Sequence, residues 1–228
     1  MLGALVIGLA GFGAVALDEA LGGPLQRSNA PVNDAVSAWQ AAGFPAHAVG
    51  NFLSQIGAWW FVTLAVTAGA AWMLRKRQWV MATWNVGIAL ANSLIVDGLK
   101  LLFQSARPGD NGALGYSFPS GHTFAATAAL GATIILVAEV HRRTRGKGHH
   151  LLGTRAEWTV ALSLWGLLAT LTGLGRVLIQ QHWLSDVVAS WALGLALVAG
   201  LLLGLSRTAP AGATGPKVPA AKSSPQAK

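Results

Sequence analysis

Residues 183–205 read WLSDVVASWALGLALVAGLLLGL, with one charged side chain, Asp186, near the start. About 20 mostly apolar residues suffice for a helix to cross the hydrocarbon core of a bilayer. Working outward from this stretch, five more segments qualify: Leu2–Leu17, Ile56–Leu74, Trp79–Phe103, His122–Val140 and Trp158–Leu174. The fold class expected is therefore all-α, a polytopic membrane bundle of six transmembrane helices. Leu2–Leu17 is short, and Ala14-Val15-Ala16 resembles a signal-peptide cleavage site. No Lys or Arg precedes it, however, and a signal peptide needs a basic leading region, so a retained first helix is expected.

Composition supports lipid as the solvent. The 228-residue chain is 53% hydrophobic and only 11% charged, against about 25% charged in soluble domains. With no cysteine, disulfides and thiolate metal sites are excluded. A net charge of +8 raises the question of nucleic acid, but the basic residues lie between apolar runs and not on one soluble face, which argues against it.

Those basic residues give an orientation. Arg75, Lys76 and Arg77 follow the second span, and Arg142, Arg143, Arg145, Lys147 and Arg155 follow the fourth. Arg207, Lys217, Lys222 and Lys228 follow the sixth. The positive-inside bias makes these segments, and both termini, cytoplasmic. Of the other four basic residues, Arg27 is in the first outer loop, and Lys100, Arg107 and Arg176 fall at outer ends of spans. The expected organisation is a membrane domain over residues 1–205 and a disordered cytoplasmic tail over 206–228, rich in Ala, Pro, Gly, Ser and Lys.

Residues 18–55 form a long outer loop. Within it Asn29 reads as an N-cap and Pro31 as a first-turn residue. Val32, Ala35, Val36 and Trp39 then recur at helical spacing, giving a helix able to lie in the membrane interface and to line a lipid entrance. Gly200 and Gly204 form a small-residue pair of the kind that mediates helix packing.

Three outer clusters carry chemistry. His182 and Asp186 share one helical face, one turn apart. A carboxylate that accepts from one ring nitrogen leaves the other unprotonated and aimed, a competent nucleophile toward phosphorus. Taken alone, the pair also reads as an ordinary contact at a helix end. Arg176, just before, offers a fork for two phosphoryl oxygens. In Phe118-Pro119-Ser120-Gly121-His122, Pro119 imposes a turn and Gly121 admits close backbone approach. The helix that follows presents amides to an anion, Ser120 adds a hydroxyl, and His122 stands where a leaving oxygen takes a proton. Lys100 lies inside an apolar span, where a charge costs about 3 kcal/mol and is functional by default. Seven residues on, Arg107 precedes Pro108, so the helix is expected to fray there and Arg107 to enter from a loop. Asp97 is one turn before Lys100 and placed to pair with it.

Lys100-x6-Arg107-Pro108, Pro119-Ser120-Gly121-His122 and Arg176-x5-His182-x3-Asp186 together resemble the three-part signature of the type-2 phosphatidic acid phosphatase superfamily. The resemblance covers spans three to six and is highly specific. It implies a metal-independent, cofactor-free, two-step dephosphorylation. His182 would attack phosphorus, Asp186 orient it, and His122 protonate the leaving oxygen. Lys100, Arg107, Ser120, Gly121 and Arg176 would hold the phosphoryl oxygens. Gly175 departs from the family, where serine is common, and so does Ser105, at a position often basic.

The resemblance further implies a membrane lipid phosphate as substrate. Undecaprenyl diphosphate comes first, then phosphatidic acid and phosphatidylglycerophosphate, handled at the outer face of a bacterial inner membrane. Lipid A dephosphorylation or phosphotransfer is an alternative. A vanadate-dependent haloperoxidase uses a similar site on a soluble chain, so the spans argue against it. A non-catalytic lipid carrier would not need His182 and Asp186 together. Metal chemistry is disfavoured because Asp18, Glu19, Asp34 and Asp110 form no cluster at ligand spacing. His141, His149 and His150 read as solvated cytoplasmic residues.

Overall fold

The structure, a computed structural model, describes residues 1–108, 115–144 and 154–208. It is all-helical over them: α1 (Leu2–Leu21), α2 (Pro24–Ala41), α3 (Ala46–Ser54), α4 (Trp59–Arg75), α5 (Trp79–Phe103), α6 (Gly121–Ala125), α7 (Gly131–Thr144), α8 (Thr154–Leu178) and α9 (Leu184–Thr208). A 3-10 turn, Gln55–Gly57, joins α3 to α4, and a π turn, Ala126–Leu130, joins α6 to α7. Six helical segments among the described residues are long and apolar enough to cross a membrane. The protein is an integral membrane protein of the expected fold class.

The α6–π–α7 rod is the axis of the bundle and is mostly buried. Phe124, Ala128, Ala132, Leu136 and Val140 pack there against Met73 of α4, Met81, Ile88 and Val96 of α5, and Leu201 and Leu205 of α9. Lipid tails are as apolar as these side chains, so packing density and interhelical hydrogen bonds hold the helices together. Asn85 of α5 donates to Val66 O of α4 at 3.0 Å and accepts from Thr133 Oγ1 of α7 at 2.7 Å, linking three helices. The π turn leaves the Thr127 carbonyl to accept Trp165 Nε1 of α8 at 2.8 Å.

The first helix runs antiparallel to α9. A Cβ on Gly8 would stand 2.7 Å from Ala192 O and Ala196 N, whereas Val15 clusters with Ala189 and Phe118 at the other end. The Gly200–Gly204 pair plays no such part. A Cβ on Gly200 would only reach Leu5 at 4.0 Å, and one on Gly204 would meet nothing within 4 Å. The packed glycine of α9 is Gly194, where a Cβ would stand 2.5 Å from Thr127 Cγ2 of the π turn.

Residues 18–55 are almost wholly helical, and their boundaries differ from the expected ones. α1 continues to Leu21 and ends on Gly22 in the left-handed region (φ 65). α2 begins at Pro24, so Asn29 is buried mid-helix and Pro31 lies inside the helix. The cap comes from α1: the Asp18 carboxylate accepts from Leu25 N at 3.2 Å and Gln26 N at 2.7 Å. The Gly22-Gly23-Pro24 punctuation, a helix stop followed by a first-turn proline, outweighs Asn29-Ala30-Pro31. The tail expected from Ser206 onward begins as helix through Thr208; residues 209–228 lie outside the described part.

Candidate active site

The three sequence clusters meet at one end of the bundle. His182 sits in the turn between α8 and α9, and Asp186 in the first turn of α9; both are buried. His182 Nδ1 lies 3.0 Å from Asp186 Oδ2, so the ring proton sits on Nδ1 and Nε2 carries the lone pair. The same carboxylate oxygen accepts from Trp183 N at 2.9 Å and from the Ser117 hydroxyl. Three donors on one oxygen fix the carboxylate, which in turn fixes the imidazole.

Nε2 faces Arg107, whose Nη1 is 3.3 Å away. α5 ends at Phe103 with Gln104 left-handed (φ 49), so Arg107 enters from the following loop, as its proline neighbour implies. Carbonyls hold its guanidinium flat: Nε donates to Gly115 O at 3.0 Å, Nη1 to Gln181 O at 2.8 Å and Nη2 to Tyr116 O at 3.2 Å. Trp183 Nε1 ties the loop to α9 by donating to Ala106 O at 2.7 Å.

Arg176, in the last turn of α8, is buried; Nη2 donates to Gln181 Oε1, while Nε has no hydrogen-bond partner among the described residues. Gln181 therefore serves both arginines, one through its side chain and one through its backbone. Ser120 is buried at the N-terminus of α6. Its carbonyl accepts from Ser190 Oγ at 3.0 Å, and its Oγ accepts from Thr123 Oγ1 at 3.0 Å, leaving the Ser120 hydroxyl proton free to donate elsewhere. A Cβ on Gly121 would meet only Val96, at 3.5 Å, so that glycine is not demanded by protein packing. Phe118 anchors the segment, buried between Phe12 of α1 and Phe103 of α5.

Lys100, Arg107, Arg176 and His182 all stand close enough to His122 to act on it electrostatically. Lys100 is half-buried in α5, near Arg107, Arg176 and Asp186. Asp97 is exposed, forms no ion pair with Lys100 and acts on it only through space. Burial, reinforced by Arg176, Arg107 and Lys100, holds the His182 imidazole well below its usual range and therefore neutral. The site thus combines an aimed neutral nitrogen, a second imidazole and three cations. That inventory suits attack on a dianionic phosphoryl group, whereas a metal cation would sit among three like charges.

The two family departures have local explanations. A Cβ on Gly175 would lie 2.8 Å from Gly50 O and 2.9 Å from Ser54 N, so a serine would collide with α3. Ser105 stands close enough to Glu19 of α1 to act on its carboxyl. Sequence reasoning missed Ser117, Gln181, Ser190 and Asn29. Ser190 was findable, because it stands four residues after Asp186 on the same face; its Oγ donates to Asp186 O at 2.7 Å. Ser117 and Asn29 act across 69 and 156 residues of chain, distances at which spacing carries no signal.

The model of the PAP2 superfamily matches residues 82–208, more than half of the chain. A lipid A 1-phosphatase of Porphyromonas gingivalis is 31% identical over 123 residues, 53% of this chain and 23% of that protein, so the match spans about a quarter of the relative's length. A crystal structure of a transmembrane PAP2-type phosphatidylglycerolphosphate phosphatase from Bacillus subtilis superposes with a TM-score of 0.72 at 19% identity, covering 89% of this chain and 96% of that one.

Proposed function

The chain belongs to the PAP2 superfamily, and on that premise we propose that it is a metal-independent lipid phosphatase working through a phosphohistidine. The observation that carries this reading is the His182–Asp186 pair at 3.0 Å with Nε2 turned toward Arg107. In the first step the Nε2 lone pair attacks phosphorus in line, the P–O bond to the lipid breaks, and His122 gives the departing oxygen its proton. In the second, His122 takes a proton from water, the water oxygen bonds to phosphorus, and the P–N bond breaks to release phosphate. Lys100, Arg107, Arg176, the Ser120 hydroxyl and the Gly121 amide hold the equatorial oxygens, where positioning and charge stabilisation supply most of the acceleration.

The substrate is a phosphomonoester or diphosphate of a membrane lipid, undecaprenyl diphosphate first, then phosphatidylglycerophosphate or phosphatidic acid. The site faces the outer surface of a bacterial inner membrane in this reading, which rests on the Lys and Arg bias of the loops. Lipid A is a second reading, favoured by the 31% identity to a protein named for that activity.

Phosphate release should be measured in detergent with excess EDTA from these lipids, beside His182→Ala. Release that survives EDTA and vanishes in the variant, with acid-labile label on the protein after a rapid quench, supports the reading. Equal release from the variant sinks His182 as nucleophile. Release that EDTA abolishes sinks metal independence.

A further inference from the structure

The basic residues at the end of α7, which the sequence reading used only for orientation, are organised by a buried acid. Glu139 is 8% exposed. Its carboxylate accepts from Arg142 Nε at 2.7 Å and Nη2 at 2.6 Å, and from Arg143 Nε at 2.6 Å. One carboxylate thus holds two adjacent guanidiniums against the bundle. They line different clefts, both at the far end of α7 from His122 and so remote from the catalytic residues.

The wider cleft, ≈ 660 Å³, includes Arg142, Arg155 and Trp158, but Glu139 forms part of its wall and Glu157 acts on Arg142 nearby. The smaller, ≈ 250 Å³, lies between the α4–α5 turn and the ends of α7 and α9, lined by Arg77, Gln78, Trp79, Arg143 and Leu205. Among the described residues no carboxylate lines it. Arg143 spends only Nε on Glu139, so both terminal nitrogens are outside that contact, whereas Arg142 commits Nε and Nη2. Two arginines from different elements, a glutamine and a tryptophan line the cleft together with the apolar Val80, Met81 and Leu205. Basic and polar groups beside apolar ones suit a lipid headgroup and its glycerol. Arginine forks match phosphate oxygens, and basic pockets between membrane helices take anionic headgroups.

We propose that the cleft between Arg77 and Arg143 binds the phosphodiester headgroup of an anionic phospholipid in the leaflet opposite the catalytic site. A phosphodiester lipid has no terminal phosphate to lose, so such a lipid remains bound as a structural partner and is not consumed. The proposal does not depend on the catalytic reading.

The test titrates the full chain, in neutral detergent, with phosphatidylglycerol, phosphatidylcholine or inorganic phosphate, following the unfolding midpoint and tryptophan emission. Phosphatidylglycerol should raise the midpoint saturably and phosphatidylcholine should leave it unchanged, while any response to inorganic phosphate, the product of the proposed reaction, should be the same in Arg77→Asn as in the unaltered protein. Arg143→Gln and Arg77→Asn should each weaken that binding about tenfold by removing one phosphate fork; asparagine keeps the left-handed backbone at position 77 (φ 56). His182→Ala should bind as the unaltered protein does. Equal response to phosphatidylcholine, unchanged affinity in Arg77→Asn, or loss in His182→Ala would overturn the assignment, the last by moving the lipid to the catalytic end. A response to inorganic phosphate that Arg77→Asn weakens as it weakens that to phosphatidylglycerol would overturn the lipid in favour of a free anion. Should Arg143→Gln fail to fold, Arg77→Asn decides alone, since Arg77 is exposed in a turn.

Discussion

Asn29 of α2 caps a helix other than its own: its Oδ1 accepts from Ser185 N at 3.1 Å and its Nδ2 donates to Ser185 Oγ at 2.8 Å, both at the start of α9. One turn on, Asn33 Oδ1 and Ser37 Oγ accept from Gln180 Nε2 at 3.0 and 2.8 Å. α2 is thereby strapped across the turn that carries His182. Losing an N-cap costs about 1 kcal/mol, and the buried Ser185 hydroxyl would lose a partner as well. Asn29→Ala should lower the unfolding midpoint and reduce kcat more than it raises KM, because the loosened group is the proposed nucleophile. Unchanged kcat with a lowered midpoint would limit Asn29 to stability.

Three donors converge on Asp186 Oδ2, and Ser117 is the one that sequence reasoning did not find. A hydrogen bond to a charged group is worth about 1.5–3 kcal/mol, so Ser117→Ala should slow turnover by at least about tenfold with the fold intact. Asp186→Asn should be far more severe, on the order of 10³–10⁴, since an amide can fix the wrong tautomer of His182. Comparable losses in the two variants would mean that Ser117 touches substrate directly.

The neutral state of His182 has a pH signature. Its protonation is displaced well below the ordinary histidine value of about 6.5, chiefly by burial. After correction for substrate ionisation near pH 6, kcat/KM of the free enzyme should show no histidine limb at about 6.5 on the acid side. Stability carries the matching sign. The unfolded chain binds a proton there more readily, so the advantage of the neutral buried ring is complete above about pH 6.5 and drains away toward the lower folded value. His182→Gln should flatten that acid decline. An unaltered decline in the variant would assign it to other groups.

Gly50 and Gly175 bring α3 and α8 together backbone to backbone, each leaving no room for a Cβ on the other. Gly175→Ser should therefore destabilise the protein by about 1–3 kcal/mol through overpacking. Because Arg176 follows directly, KM should rise as well. Gly43→Ser, where a Cβ would meet nothing within 4 Å but φ is +89, separates backbone strain from collision. If Gly175→Ser unfolds no earlier than the parent, α3 can yield and the close approach is not required.

Much of this was legible in the chain. Long apolar runs identify membrane helices because lipid leaves backbone groups no other partner, and Arg107 was expected in a loop because proline disfavours helix before it. The His182–Asp186 pair was legible because four residues is one turn. The region 18–55 was misread because two local signals competed: Asn29-Ala30-Pro31 imitates a helix start, while the real start draws its cap from Asp18 on another helix. Asn29 itself, Gln181 and Ser117 were invisible for a related reason, since their partners are fixed only when α2, the 115–120 segment and the α8–α9 turn are brought together.

The antiparallel seating of α9 on α1 also bears on biogenesis. Chains emerge N-terminal end first, and α9 follows the other eight helices of the described residues, yet it docks on α1 and α2 as well as on α6. A nascent chain made only through α8 already holds Lys100, Arg107, Ser120, His122 and Arg176, but lacks both His182 and Asp186. On the proposed mechanism such a precursor is inert, and activity has to wait until α9 is made and seats against α1.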